Sequence, residues 1–198
     1  ARVAHTAKGV TVGADLRSTT NRRVYVVGDA VGGAQFTHVA GYHAGVAIRS
    51  LLFGLPSKAT DRHIPRATYT QPELAQVGLT EAEAQRAHGQ RLTVVRFPFD
   101  QNDRAQAEGR TEGLIKVMVA GGRPVGASIA GEGAGEQIAL WALAISARLK
   151  MSAIAGAVLP YPTLAEVSKR AAGAYFSPKL FANPWVKRVV GLVQRYIP

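Results

Sequence analysis

The sequence has 198 residues, no cysteine, and 24 lysines and arginines against 13 acidic residues, for a formal net charge of +11. With 47% apolar and 19% charged residues, it can bury a core and is not a disordered polyelectrolyte. Without cysteine, these residues hold no disulfide scaffold, Cys-ligated zinc site, iron–sulfur cluster or thiol nucleophile. No apolar run reaches the roughly 20 residues that span a bilayer, and residues 1–10 lack a signal-peptide core, so the expectation is a cytoplasmic globular protein.

Val24-Tyr25-Val26-Val27 is a β-branched apolar run closed by Gly28-Asp29, the pattern of a fully buried parallel strand. A small-residue loop follows over 30–35, then a helix over about 36–53. Val39, His43, Val46, Ala47 and Leu51 recur along one side of that helix, and Gly54-Leu55-Pro56 stops it. Strand, glycine turn and helix make half of a βαβ unit, so residues 1–56 read as the last piece of a domain. Residues 57–63 read as a polar linker.

From Ile64 the pattern changes. Residues 67–69 and 75–79 read as short strands around a Gln71-Pro72 turn, and Thr80-Glu81-Ala82-Glu83 has capping-box spacing, opening a helix that ends near His88-Gly89. Residues 92–97, 113–120 and 124–130 read as strands, the last two joined by Gly121-Gly122 as a hairpin. Residues 134–149 form an amphipathic helix with Ile138, Trp141, Ala142, Ile145 and Leu149 on one side. Short strands in a row followed by helices indicate an α+β unit with an antiparallel sheet.

Three segments are candidates for chemistry. An aspartate just past a buried strand stands where open α/β sheets bind ligands. Asp29, with the small Ala30 behind it, can accept hydrogen bonds from ribose or ribityl hydroxyls while the next helix N-terminus faces a phosphate; taken alone, it is equally a turn or helix-cap aspartate. Thr163 and Glu166 again have capping-box spacing, which makes Glu166 a cap residue of a helix burying Val167, Ala171 and Ala174. Tyr161 is held extended before Pro162, and its ordinary pKa near 10 suits a hydrogen-bond donor or binding group better than a neutral-pH base. Residues 131–136 are glycine-rich but lack dinucleotide-fingerprint spacing and read as tight strand–helix packing. The histidines show no metal-ligand spacing, His38 and His43 falling on different helix faces, so no metal is expected. Basic residues occur as scattered singles and pairs, without the dense stripe or interleaved aromatics of a nucleic-acid binder, and no nucleic-acid partner is expected.

The order of these segments resembles the pyridine nucleotide-disulfide oxidoreductases, closest to the dihydrolipoamide dehydrogenase and mercuric reductase branch. Val24 to Ala30, then Thr37-His38-Val39-Ala40 and the small-residue helix ending Leu52-Phe53-Gly54, resemble the family's second FAD-contacting motif. Ile64 to Glu73 and Val77 to Glu81 are similar to the start of its C-terminal dimerisation domain. Residues 126–138 and Tyr161-Pro162-Thr163 continue the match, which covers about 10–175. The resemblance implies an FAD flavoenzyme using NADH or NADPH, working as a homodimer and passing electrons to a small-molecule or disulfide acceptor. It implies cofactor binding by Gly28, Asp29, Ala30, Thr37, His38 and Ala40, with Asp29 on the FAD ribityl chain. It also implies catalytic roles for Tyr161 and Glu166, carried by one subunit to its partner's flavin. The fold expected is α+β: an antiparallel sheet with packed helices as the dimerisation domain over 57–178, preceded by the C-terminal βα piece of an FAD-binding α/β domain over 1–56. A basic amphipathic tail helix over 179–198 completes it.

Two departures stand out. Tyr161 occupies the place of the family's histidine in His-Pro-Thr, and a histidine–glutamate dyad works because imidazole titrates near neutrality; Glu166 is left without that partner. The chain begins at Ala1, so the FAD glycine motif, the cysteine pair and the nicotinamide domain are expected upstream, and this portion alone is expected to be inactive. In the tail, Val186, Val189, Val190, Val193, Tyr196 and Ile197 fall near helical spacing, with Lys187, Arg188 and Arg195 elsewhere. That stripe reads as packing on its own domain or a dimer partner, and peripheral contact with an anionic membrane is the other reading. The alternative function is a non-catalytic dimerisation or interaction module whose basic surface binds membrane or nucleic acid.

Overall fold

The computed structural model describes residues 2–197, apart from the side chains of Lys179 and Phe181; Ala1 and Pro198, the ends of the first and last expected segments, lie outside the described residues. The chain divides into two units, 1–61 and 62–198. The first opens with a two-residue antiparallel pair, β1 (His5–Thr6) and β2 (Gly9–Val10). It continues through a 3-10 turn, Gly28–Val31, to α1 (Thr37–Phe53). Gly54 ends α1 in the left-handed conformation at φ 61°, a C-cap that a residue without Cβ takes at no steric cost.

The expected parallel strand at Val24–Val27 is not formed. A β-branched run meets the local requirement for a strand, but a strand also needs a neighbour. Among the described residues that neighbour is antiparallel: Ser18 N–H donates to Val24 O and Val26 N–H to Leu16 O, both at 2.9 Å, around a single Arg17–Tyr25 bridge. The run is not fully buried either, since Val26 is covered but Val27 is 39% exposed. Along α1, Val39, His43, Val46 and Ala47 are buried as the spacing predicts, whereas Leu51 is exposed together with Ile48, Leu52 and Phe53.

The second unit is built on a five-stranded, wholly antiparallel sheet in the order β3-β4-β7-β6-β5. Its strands are β3 (Arg66–Thr68), β4 (Glu73–Gly78), β5 (Leu92–Pro98), β6 (Leu114–Ala120) and β7 (Arg123–Gly131). The β6–β7 hairpin turns on Gly121-Gly122, both at positive φ (57° and 76°), as a two-residue turn between right-twisted strands demands. Gly126 of β7 lies so close to Leu79 that a Cβ there would sit 1.9 Å from the Leu79 carbonyl oxygen.

Period-two burial gives the sheet one covered face, with Ala75, Val77, Ile115, Val117, Ala127 and Ile129 at 0–1% exposure. Over that face lie α4 (Ala134–Ser146) and, further along the chain, α6 (Glu166–Ala174). Trp141 of α4 is fully buried, and its indole N–H donates to the Ser168 hydroxyl of α6 at 2.9 Å, so the bulky ring is packed with its one donor satisfied. α4 stops at Ser146, short of the expected Leu149. Between strands lie α2 (Glu81–His88) and the short α3 (Asp103–Ala107), and α5 (Met151–Ala155) precedes α6.

The capping box at α2 is complete: Glu83 N–H donates to the Thr80 hydroxyl, and Thr80 N–H to Glu83 Oε2 at 2.8 Å. Glu81 in the same turn accepts from Arg96 Nη2 with both carboxylate oxygens (2.7 and 2.8 Å) and takes an ion pair from Lys116 (2.9 Å). The chain closes with α7 (Ser177–Phe181) and α8 (Pro184–Tyr196).

Candidate functional site

The expected cofactor residues sit on the 3-10 turn and the first turn of α1. Gly28 has φ 62°, and a Cβ on it would stand 2.9 Å from the Ala40 methyl, so glycine here is required both by the turn and by the close approach of α1. Its N–H donates to Nδ1 of buried His43 at 3.2 Å. That fixes Nδ1 as the acceptor and makes His43 a structural histidine tying α1 to the turn. Gly28 and Ala40 are thus brought together. Asp29 and Ala30 are exposed on the turn; the Asp29 backbone carbonyl accepts Gly32 N–H at 2.9 Å, while its carboxylate takes no hydrogen bond among the described residues. Thr37 and His38 are exposed at the start of α1, where the N-cap, Phe36, offers no side-chain acceptor. The His38 ring lies flat on Phe36, with centroids 5.2 Å apart.

The second group belongs to the other unit. Tyr161 is 68% exposed, and its hydroxyl donates to Asp103 Oδ2 at 2.9 Å. The same oxygen takes an ion pair from Arg170 at 3.1 Å, and Arg170 is braced by the Gln101 carbonyl at 2.9 Å. Below them, fully buried Asn102 caps α3 through Ala105 N–H (2.9 Å) and donates to the Thr163 carbonyl (3.1 Å). One turn of α3 therefore holds both the backbone and the hydroxyl of the Tyr161–Thr163 segment. The Asp103 carboxylate, by accepting this hydrogen bond, holds the Tyr161 phenol above its ordinary value near 10. At neutral pH Tyr161 is a protonated donor.

The expected capping box at Thr163 and Glu166 does not form. The Thr163 hydroxyl instead donates to the Pro160 carbonyl at 2.8 Å, and α6 starts at Glu166 behind Ala165, which supplies no cap. Thr163 lies in the preceding bend, two residues before the N-cap, and meets the helix through its backbone carbonyl, which accepts Glu166 N–H at 3.4 Å. Glu166 is half-buried, and its Oε2 is covered without a hydrogen-bond partner among the described residues. Tyr161 and Glu166 are thus not joined as a hydrogen-bonded dyad; Asp103 has taken the tyrosine.

The contacts that bring Asp103, Arg170 and Asn102 to the Tyr161–Thr163 segment were not legible in the sequence. The only sequence signal is Asn102-Asp103 at the head of a short helix, 58 residues before Tyr161. The glycine-rich 131–136 segment is structural: the N-terminus of α4 is served by the Glu73 carboxylate, which accepts Gly135 N–H at 2.9 Å. Among the described residues no cluster of three His, Asp or Glu side chains is placed to hold a metal ion, and no helix is long and apolar enough to cross a membrane.

Comparison with known proteins agrees with this architecture. Residues 64–172 match the family model for the pyridine nucleotide-disulphide oxidoreductase dimerisation domain. The chain is 34% identical to a mercuric reductase of Bacillus cereus over 83% of its own length and 27% of that protein. It is also 34% identical to a dihydrolipoyl dehydrogenase of Bacillus subtilis over 84% of its length and 36% of that protein. Among solved structures, the HOCl-induced flavoprotein disulfide reductase RclA of Escherichia coli superposes with a TM-score of 0.75 at 26% identity, covering 86% of this chain and 40% of that one. LpdA of Mycobacterium tuberculosis shares the fold, with a TM-score of 0.80 at 23% identity over 87% of this chain and 38% of that one. The chain spans between a quarter and two fifths of the relatives it matches. It belongs to the pyridine nucleotide-disulphide oxidoreductase family, and its second unit carries that family's dimerisation domain.

Proposed function

We propose that this chain is the C-terminal part of an FAD-dependent NADH or NADPH oxidoreductase that works as a homodimer. In this reading the first unit supplies part of the flavin site, and the second supplies the interface and an acceptor-facing tyrosine. The observation that carries it is the exposed Asp29 carboxylate on the turn that packs against the uncapped start of α1, in a chain bearing this family's dimerisation domain.

The donor set fits FAD. A carboxylate with no partner of its own accepts hydrogen bonds from polyol hydroxyls, and the open amides of a helix start favour negative charge. When bound, FAD would supply the hydride-accepting and electron-passing chemistry. Asp29 would bind the ribityl chain, Ala30, Thr37, His38 and Ala40 would line the ring system, and Gly28 would hold the turn against α1. Tyr161, kept protonated by Asp103, would bind the acceptor and donate a hydrogen bond or a proton to it. It is not equipped for the base half of the cycle that a histidine performs. Glu166 would bear on the site through its charge alone.

The test uses the full-length protein. Asp29→Ala should weaken FAD retention by roughly 10- to 100-fold, the range for a hydrogen bond to a charged group, and Tyr161→Phe should slow acceptor reduction while sparing flavin reduction by NADH or NADPH. Unchanged flavin content in Asp29→Ala contradicts the cofactor assignment, and equal rates in both half-reactions remove Tyr161 from the site. Of the non-catalytic readings, contact with a membrane has an observation of its own, the exposed α8.

A further inference from the structure

α8 is specified by its own sequence. Asn183 accepts Trp185 N–H at 2.9 Å as the N-cap, and Pro184 takes the first helical position, where its missing N–H has no cost. Packing does not hold it: none of its residues is buried, and Trp185, Leu192 and Tyr196 are 57–72% exposed. The reading in which the stripe packs on its own domain is therefore corrected.

At 3.6 residues per turn, all the apolar residues from Trp185 to Tyr196 fall within an arc of about 160°. Lys187, Arg188, Gln194 and Arg195 share the opposite arc, with Gly191 among them. No acidic residue follows Glu166, so the cations of α8 have no carboxylate of their own segment to pair with. Trp185 and Tyr196 stand at the two ends of the apolar face, and both are amphipathic rings suited to a boundary between water and hydrocarbon.

We infer that α8 lies on the surface of a bilayer containing anionic phospholipid, with its apolar face in the acyl–headgroup boundary and Lys187, Arg188 and Arg195 among the headgroups. Charge decides between this occupant and pairing with a second α8. Another α8 brings a second set of cations and no carboxylate, whereas anionic headgroups supply the missing charge. Such helices lie in the interface plane and do not span. The inference stands apart from the flavin reading and holds whether or not Asp29 binds a cofactor.

The experiment is co-sedimentation of the whole chain with vesicles of phosphatidylglycerol and phosphatidylcholine, and in parallel with phosphatidylcholine alone. The chain should sediment with the anionic vesicles, with Trp185 emission moving to the blue, and should be released by salt. Lys187→Glu with Arg188→Glu should lower partitioning on the order of 30-fold or more. Val189→Asp with Val193→Asp should abolish it while thermal unfolding of the sheet domain is unchanged. A Trp185→Phe chain should still bind but lose the spectral shift. Equal binding to both vesicle types, or no binding to either, overturns the inference. So does a drop from dimer to monomer mass caused by Val189→Asp with Val193→Asp in the absence of lipid, which would assign the face to a second copy.

Discussion

The two units carry the same kinds of residue to different ends. In the second, apolar alternation along β4, β6 and β7 meets an apolar helix face, and the central side chains reach 0–2% exposure. In the first, an equally apolar run, Val24–Val27, has an antiparallel neighbour on one side only, and the end of α1 leaves Leu51, Leu52 and Phe53 57–70% exposed. A self-sufficient core requires complementary faces within one chain; apolar residues alone do not make one. The second unit has both faces.

That contrast is easiest to break with truncations. Ile129→Ala, at the centre of the sheet, should cost about 2–5 kcal/mol of unfolding free energy, read by denaturant melts followed through buried Trp141. Leu51→Ala in α1 should stay within about 0.5 kcal/mol, as exposed positions do. Equal losses would mean that the apolar end of α1 is buried in solution. Smaller, but more local, is Thr80→Ala, which removes the α2 cap and should cost about 1 kcal/mol in the same melts.

Leu51 apart, whose exposure departs from the spacing along α1, these predictions fall where the sequence was readable. Thr80 with Glu83 and Gly121 with Gly122 are local devices: their partners lie within four residues, so spacing alone specifies them. Thr163 and Glu166 have the same spacing and no cap forms, because the helix begins at Glu166 with Ala165 as its N-cap, which leaves Thr163 in the preceding bend with its hydroxyl donating to the Pro160 carbonyl. Spacing states what a pair can do, and the preceding bend decides whether it does. Tyr161 was legible as a projecting residue before proline. Its partner Asp103 was not, since no local pattern links residues 58 apart whose meeting depends on how α3 and the Pro160–Thr163 bend are placed by the sheet.

Two titrations sharpen the comparison further, with smaller effects. Tyr161 is raised above 10 by Asp103, so the folded state holds this proton more tightly than the unfolded one. The stabilisation is complete below pH 10 and is lost as pH rises through the folded value. Phenolate absorbance, differenced against Tyr161→Phe, should show this titration above the ordinary value, and Asp103→Asn should bring it back down. Glu81 is held below the ordinary 4.5 by Lys116 and then Arg96. Its contribution is complete above pH 4.5 and is lost as pH falls through the lower folded value, so Glu81→Gln should flatten the acid limb of the stability curve. An unchanged acid limb would mean that both cations are too well solvated to matter.

The second unit carries the family's dimerisation domain, and with α8 assigned to lipid the proposed homodimer must form through the rest of that unit. The direct measurement is sedimentation equilibrium of the whole chain carrying Val189→Asp and Val193→Asp, which removes any pairing through the tail. The account predicts twice the mass of one chain, declining toward the monomer on dilution. The mass of a single chain at every concentration would contradict it.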